Sequence, residues 1–422
     1  MIPTMHRQTV LALTIAALVT CAGTAGAQSG VQLTPDGRHT LISKDVGGQR
    51  WAILRSPDGT VTGNVFFPGG GDPQYVWCEE TDETPAEGEV MLACFGADIC
   101  PNAPCTNADW NFIAEVSLPE TFFLPPSGSE WQTLTPLANG PRQEHPTLAF
   151  QNEIWVFGGF DGRARVVDTI EVYDPAANTW RDDVAPLPTP MHHANVAVVG
   201  DRIYVTGFLR AGSFTADGRV FEYDPALDRW SEKTSMPQAR IRGASAVGVI
   251  DGKIYVAGGL RSGTRAEFSS YDPTTDQWET LPDLPRPIDH GASGVVDGVF
   301  YVLGGRDGGI AGVSEAVYAF DPAAGEWTRG ADMPTPRGGV AGAVLGGKIY
   351  VLGGEGNPDT ESGVFDEVEA YDPATDRWEE LAPMATPRHG MGAAGFGGRI
   401  YVPGGAVRQA FGAVDTVDAL QP

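Results

Sequence analysis

Five of the seven histidines in this 422-residue chain recur in one setting. His145, His192, His193, His290 and His389 each lie 9 to 11 residues ahead of an aromatic-aliphatic run of the type Ile254–Gly259 (IYVAGG). Arg142, Arg240, Arg242, Arg337 and Arg388 share those junctions, and Arg163, Arg210, Arg261, Arg306 and Arg408 follow the runs. Guanidinium forks pair bidentately with carboxylate and sulfate groups, so arginines gathered at one place make an anion receptor. The candidate ligand-binding set is Arg142, His145, His193, Arg242, Arg261, His290, Arg306, Arg337, His389 and Arg408. Glu144, Asp161, Asp289, Asp307 and Glu355 stand in the same loops and can pair with these arginines instead. Packing or capping common to every junction accounts for the pattern equally well.

Other chemistries find little support. The chain has no GxSxG elbow and no HExxH zinc motif. Its Gly-Gly pairs end strand-like runs, whereas a phosphate cradle opens onto a helix. A formal charge of −26 argues against a nucleic-acid partner, because that affinity comes from neutralising phosphates with Lys and Arg. The acidity is read as a solubility feature.

The elements that must carry the junctions repeat. Trp131, Trp180, Trp230, Trp278, Trp327 and Trp378 are 49, 50, 48, 49 and 51 residues apart. Between them recur runs ending at Gly159, Gly259, Gly305, Gly354 and Gly405, with a degenerate YVTGF ending at Phe208. Asp-Pro follows at Asp174, Asp224, Asp272, Asp321 and Asp372. β-Branched and aromatic runs predict buried strands, paired glycines predict sharp turns, and Asp-Pro starts the turn out of the next strand. Each Trp offers apolar area that one sheet cannot bury alone, so it is expected to pack on a neighbour.

A period near 50 with these landmarks in register resembles the kelch repeat, over about 290 residues. The resemblance implies an all-β fold, a six-bladed kelch β-propeller spanning 131–422. The last blade ends at Asp415–Pro422 without a Trp strand, and Trp131–Leu137 matches the missing one. The strand at 131–137 is therefore expected to close the ring, which removes exposed sheet edges. Histidines from different blades at uneven offsets predict no metal site, and no cofactor is expected.

Kelch domains lean toward recognition, so the expected function is an interaction module for a protein or anionic glycan partner. An alternative is a carbohydrate-active enzyme resembling the periplasmic sialic-acid mutarotases (N-acetylneuraminate epimerases). It would need an acid/base group such as Glu144, Asp289 or Glu355 beside Arg142, Arg242 or Arg306. The galactose oxidase family uses a Tyr cross-linked to Cys, and the repeats contain no Cys.

The N-terminal third reads differently. Arg7, the apolar run Val10–Val19 and Ala25-Gly26-Ala27 predict a signal peptide, 1–27, cleaved before Gln28. Lipid anchoring at Cys21 is the less favoured reading, since Thr20 is a poor residue before a lipidated Cys. The expectation is a secreted or periplasmic protein of exported bacterial type, with no transmembrane segment. Residues 28–118 alternate short strands and turns and predict a small all-β domain, followed by a linker at 119–130. Cys78, Cys94, Cys100 and Cys105 predict two disulfides, with Cys78–Cys94 and Cys100–Cys105 the favoured pairing. Gln49–Arg55 and Thr60–Phe67 are expected to form a hairpin across Ser56–Gly59.

Overall fold

The computed structural model describes residues 129–422, together with the backbone of seven strands between Gly30 and Pro119. The chain divides into two units, Met1–Pro125 and Pro126–Pro422. In the first, Gly30–Leu33, Thr40–Val46 and Gln49–Arg55 form one antiparallel sheet. Thr62–Val65, Tyr75–Glu80, Glu89–Ala97 and Asn111–Pro119 form another. The strands on either side of Ser56–Gly59 thus belong to different sheets, which corrects the expected hairpin. Val46 pairs with Gln49, so Gln49–Arg55 takes the strand before it as its partner rather than the one after. Cys78 stands opposite Cys94 in the register, the backbone placement that a cross-strand disulfide needs. Residues 1–28, Cys100 and Cys105 lie outside the described residues.

The second unit is a ring of six four-stranded antiparallel sheets. Blade 1 runs from Thr147 to Arg181, blade 2 from Val196 to Lys233 and blade 3 from Ala246 to Leu281. Blade 4 runs from Ala292 to Arg329 and blade 5 from Ala341 to Glu380. Blade 6 takes three strands from Ala394–Gln421 and its fourth from Glu130–Thr133. Leu420 pairs with Trp131 and Asp418 with Thr133, so the ring closes across the two ends of the repeat region as expected. Main-chain bonds from Leu134 to Val417 and from Leu137 to Asp415 extend the closure.

The IYV runs explain why sheets stack here. A strand apolar on both faces must be covered on both. Ile254 and Val256 of blade 3 are wholly buried against Tyr204 and Val220 of blade 2, while Tyr255 on the other face packs on Phe300 and Val302 of blade 4. The same alternation fills all six blade interfaces. Each of the six repeat Trp side chains sends its indole N–H to a backbone carbonyl of the neighbouring blade's exit: Ala382, Thr135, Ala185, Thr234, Pro282 and Ala331, at 2.8–3.2 Å.

Glycine pairs are needed where blades touch. A Cβ on Gly258 (φ +63°) would lie 2.2 Å from the Ile288 carbonyl oxygen. Each Asp-Pro aspartate uses Oδ1 to accept the N–H two residues on, at 2.8–2.9 Å, which fixes the outer turn. Among the described residues no helix is long and apolar enough to cross a membrane.

Candidate functional site

The loops ahead of each first strand meet on the propeller axis. Glu144, His193, Ala244, His290, Gly339 and Gly390 occupy one position in the six repeats, all in the left-handed region with φ of 50–66°. Each N–H donates to the carbonyl of its neighbour: Glu144 to Gly390, His193 to Glu144, Ala244 to His193, His290 to Ala244, Gly339 to His290 and Gly390 to Gly339. These six bonds, 2.5–3.2 Å, make a closed main-chain ring. A left-handed non-glycine residue costs roughly 1–2 kcal/mol, and the ring supplies a fixed partner for each amide that adopts it.

The residue before each ring position bridges to the residue just past the double glycine of the same blade. These pairs are Gln143 with Phe160, His192 with Leu209, Gly243 with Leu260, Asp289 with Arg306, Gly338 with Glu355 and His389 with Ala406. Two layers of side chains therefore converge at one mouth. The polar ones form a continuous chain. Glu144 Oε2 is 2.9 Å from His193 Nε2, and His193 Nδ1 is 2.5 Å from His192 Nδ1. The His193 and His290 rings meet edge to face at 4.7 Å. His290 Nδ1 is 2.5 Å from Asp289 Oδ1, which also receives Arg306 Nε at 3.2 Å. Arg306 donates through Nη1 to Glu355, whose second oxygen accepts the Ala410 N–H at 3.0 Å. His389 Nδ1 lies 3.6 Å from Glu355 and 3.7 Å from Glu144, which completes the circuit. Gly390 is required beneath it: a Cβ there would stand 2.6 Å from Glu144 Oε1.

Burial and charge pull these groups in opposite directions. Burial pushes the Glu144 carboxyl up, but the His193 charge and hydrogen bond, with His389 and His290, hold it well below the usual range. Asp289 is likewise raised by burial and drawn down to about 2 by His290, Thr264 and Arg306. Burial lowers Arg306, and Glu355 and Asp289 outweigh it and raise it. Burial and the Arg306 charge lower His290. Burial, then His193, lowers His192 to about 3, so that imidazole is neutral at pH 7.

The structure sorts the sequence-derived candidates into groups. His193, His290, His389 and Arg306 converge at the mouth with Glu144, Asp289 and Glu355. Arg142, Arg242 and Arg337, with Arg388, are wholly buried inside the blades, two residues before the ring position. Arg142 holds Glu171 at 2.8 Å and the Gly158 carbonyl at 2.9 Å. Arg242 binds the Arg240 and Val256 carbonyls, and Arg337 binds Glu369 and the carbonyls of Thr335, Val351 and Gly353. These three hold strands together and have no free face for a ligand. His145 is buried against Gly404, its pKa lowered to about 3 by burial and Arg142. Arg261 pairs with Glu267 at 2.8 Å. Arg408 is exposed at the rim, with Nε on the Phe411 carbonyl at 2.8 Å.

Sequence reasoning missed the aromatics of the mouth. Phe160 packs against the rings of His192 at 4.3 Å, Phe411 at 5.4 Å and Phe214 at 6.0 Å, the Phe411 contact being edge to face. Phe160 is buried, whereas Phe411 is 43% exposed. No spacing announces them, because Phe214 and Phe411 sit in loops of unequal length. The alignment of Glu144 with His193 and His290 was readable: the ring positions are 49, 51, 46, 49 and 51 residues apart. His192 and His389 instead occupy the preceding position, and His145 the following one. That mixture made the offsets look uneven.

A family profile for the KLHDC2/KLHL20/DRC7 Kelch-repeats domain matches residues 116–284 and again 235–405. Kelch-like protein terF of Aspergillus terreus (strain NIH 2624 / FGSC A1156) is 39% identical over 317 residues, 70% of this chain and 69% of that protein. Kelch-like protein 35 of Mus musculus is 38% identical over 166 residues, 39% of this chain and 27% of that one. Kelch-like protein 23 of Homo sapiens is 28% identical over 253 residues, 60% of this chain and 43% of that one. The chain thus spans less than half the length of these two vertebrate relatives. The solved structure of YjhT superposes with a TM-score of 0.55 at 16% identity, over 67% of this chain and 95% of that one, a likeness of fold.

Proposed function

The chain belongs to the kelch-repeat family, and from that premise we propose that it is an interaction module whose mouth grips a carboxylate-bearing segment of a partner protein. The observation that carries this reading is the rim formed by blades 1, 2 and 6. Exposed Phe411 meets Phe160 edge to face beside Phe214, and each of the three has an exposed arginine within four residues: Arg408, Arg163 and Arg210. Aromatic and arginine side chains together are the common anchors of protein interfaces. The family's use as a recognition scaffold supports the same reading. The apolar run Val10–Val19 supports placing this activity outside the cytoplasm.

An anionic glycan would meet the same guanidinium groups and can lay a sugar face on exposed Phe411, so binding assays must separate it from a peptide. The sugar-mutarotase alternative needs an arginine free to hold a substrate carboxylate. Arg306, the arginine beside the acid/base candidates, already binds both Asp289 and Glu355.

The test uses the purified full chain against an acidic peptide array and a glycan array. Phe411→Ala combined with Arg408→Ala is expected to weaken the peptide ligands on the order of 30-fold or more, since an interface anchor is worth ~2 kcal/mol or above. Affinity should also fall with salt. Peptide affinities unchanged in the double variant, or binding confined to glycans, would reject the proposal.

A further inference from the structure

The hydrogen-bond partners of the axial histidines determine where their protons lie. His192 Nε2 faces the Ala211 carbonyl at 3.1 Å and therefore donates, which leaves its Nδ1 as the acceptor in the 2.5 Å contact with His193 Nδ1. His193 Nδ1 is then the donor of that contact. His193 Nε2 is left to present a lone pair 2.9 Å from a carboxylate oxygen of Glu144. His290 follows the same logic. Its Nδ1 donates to Asp289, and its Nε2 is buried with no hydrogen-bond partner among the described residues, on a side chain only 6% exposed.

Two imidazole lone pairs and a carboxylate therefore converge at the axis. One ligand atom from each of Glu144, His193 and His290 lies within 4.8 Å of the others. An additional proton on His193 would satisfy the Glu144 contact but would leave His290 Nε2 unpartnered. A cation satisfies all three.

We propose that Glu144, His193 and His290 form a binding site for a divalent transition-metal ion on the propeller axis. Two imidazoles and one carboxylate suit ions of the zinc, cobalt and iron(II) type. The supporting shell is already built: Asp289 fixes His290 and His192 fixes His193, the arrangement in which a metal-ligating imidazole gives its other N–H to a neighbour. The surroundings also suit a cation, since the carboxylates of Glu144, Asp289 and Glu355 stand around the axis with the Arg306 guanidinium among them. With metal–ligand bonds of about 2.0–2.1 Å, tetrahedral donor atoms stand roughly 3.3 Å apart, so shifts of ~1 Å by each side chain complete the site. Three protein ligands leave a coordination position open toward the mouth. This site adjoins the aromatic rim, with Phe214 5.4 Å from the His193 ring and Phe160 4.3 Å from His192, but none of its three ligands is a rim residue.

The fold tolerates the variants that test it. Ala244 occupies the same ring position with φ 53°, so His193→Ala and His290→Ala place a residue already accepted there. Glu144→Gln offers an amide donor to the His193 lone pair and should keep the melting temperature of the metal-free protein. The metal-stripped full chain is titrated with Co²⁺, read by visible d–d absorption, and then competed with Zn²⁺. One equivalent of Co²⁺ per chain, displaced by Zn²⁺, is expected. Binding should be lost in folded His290→Ala and Glu144→Gln, and weakened ~10–100-fold in Asp289→Asn. Failure of the folded wild type to take up Co²⁺ would overturn the proposal. So would uptake undiminished in both His290→Ala and Glu144→Gln, or a thiolate charge-transfer band marking cysteine ligands.

Discussion

Arg337 shows what a buried charge does in this protein. It has no exposed surface, and four of its five donors are spent on Glu369 and the carbonyls of Thr335, Val351 and Gly353. Glu369 also accepts from Thr335 Oγ1 at 2.8 Å, so removing the guanidinium would strand a buried carboxylate in blade 5. Breaking such a pair from one side costs about 3–5 kcal/mol, whereas replacing both partners by apolar residues is often neutral. Arg337→Ala should therefore lower the melting temperature on the order of 10 °C. Arg337→Met with Glu369→Leu should recover most of the loss. A melting temperature unmoved in Arg337→Ala, with ligand binding abolished, would return this residue to the mouth. The sequence did place Arg142, Arg242 and Arg337 at equivalent junctions, but could not say which way their side chains run. That depends on acids such as Glu171 and Glu369, about 30 positions away in sequence and adjacent only once the blade has formed. Arg306 has the opposite fate because it follows the double glycine and faces the axis.

At the scale of the element, the strand Glu130–Thr133 carries more than its four residues suggest. It supplies the outer edge of blade 6, the indole that pins blade 6 to the Ala382 carbonyl, and a Thr133–Asp418 hydrogen bond of 2.9 Å. Leu134 and Leu137 then enter the core shared by blades 6 and 1. Loss of this segment opens a ring whose every interface depends on both neighbours. A full chain lacking Trp131–Leu137 should melt far below wild type, or over several transitions, by differential scanning calorimetry; one cooperative transition at the wild-type temperature would contradict closure by this strand. Elements of this kind were legible because period and register announced them: Trp, Gly-Gly and Asp-Pro each mark a fixed place in the blade. The first unit lacked such a period, so nothing in the sequence marked whether Gln49–Arg55 pairs with the strand before it or the one after. In the mouth, repeat arithmetic located the junctions but not the ring position they share, while the aromatic rim arose from loops that obey no repeat.

Across the whole molecule, the outer rim is stitched by a second device that responds to pH. Asp228, Asp276 and Asp376 each use Oδ1 to accept a Tyr hydroxyl of their own blade at 2.6–2.7 Å and a main-chain N–H of the neighbouring blade's exit at 2.7–2.9 Å. Blade 1 makes the same clasp with Asn178, which accepts from Tyr173 and from Thr135 N–H. The Tyr hydrogen bond lowers Asp228 and Asp276 first, and the Ala331 amide lowers Asp376. A carboxyl depressed in the folded state contributes stability above its unfolded pKa, and that contribution is lost as pH falls through the folded value. Three blade junctions should therefore weaken together below about pH 4, where an ordinary aspartate protonates. Asn at position 178 shows that an amide oxygen fills the role without titrating. Asp228→Asn, Asp276→Asn and Asp376→Asn combined should shift the midpoint of acid unfolding, followed by tryptophan fluorescence, to lower pH while leaving the neutral melting temperature nearly unchanged. An unchanged acid midpoint in the triple variant would assign the acid sensitivity to the axial carboxylates instead.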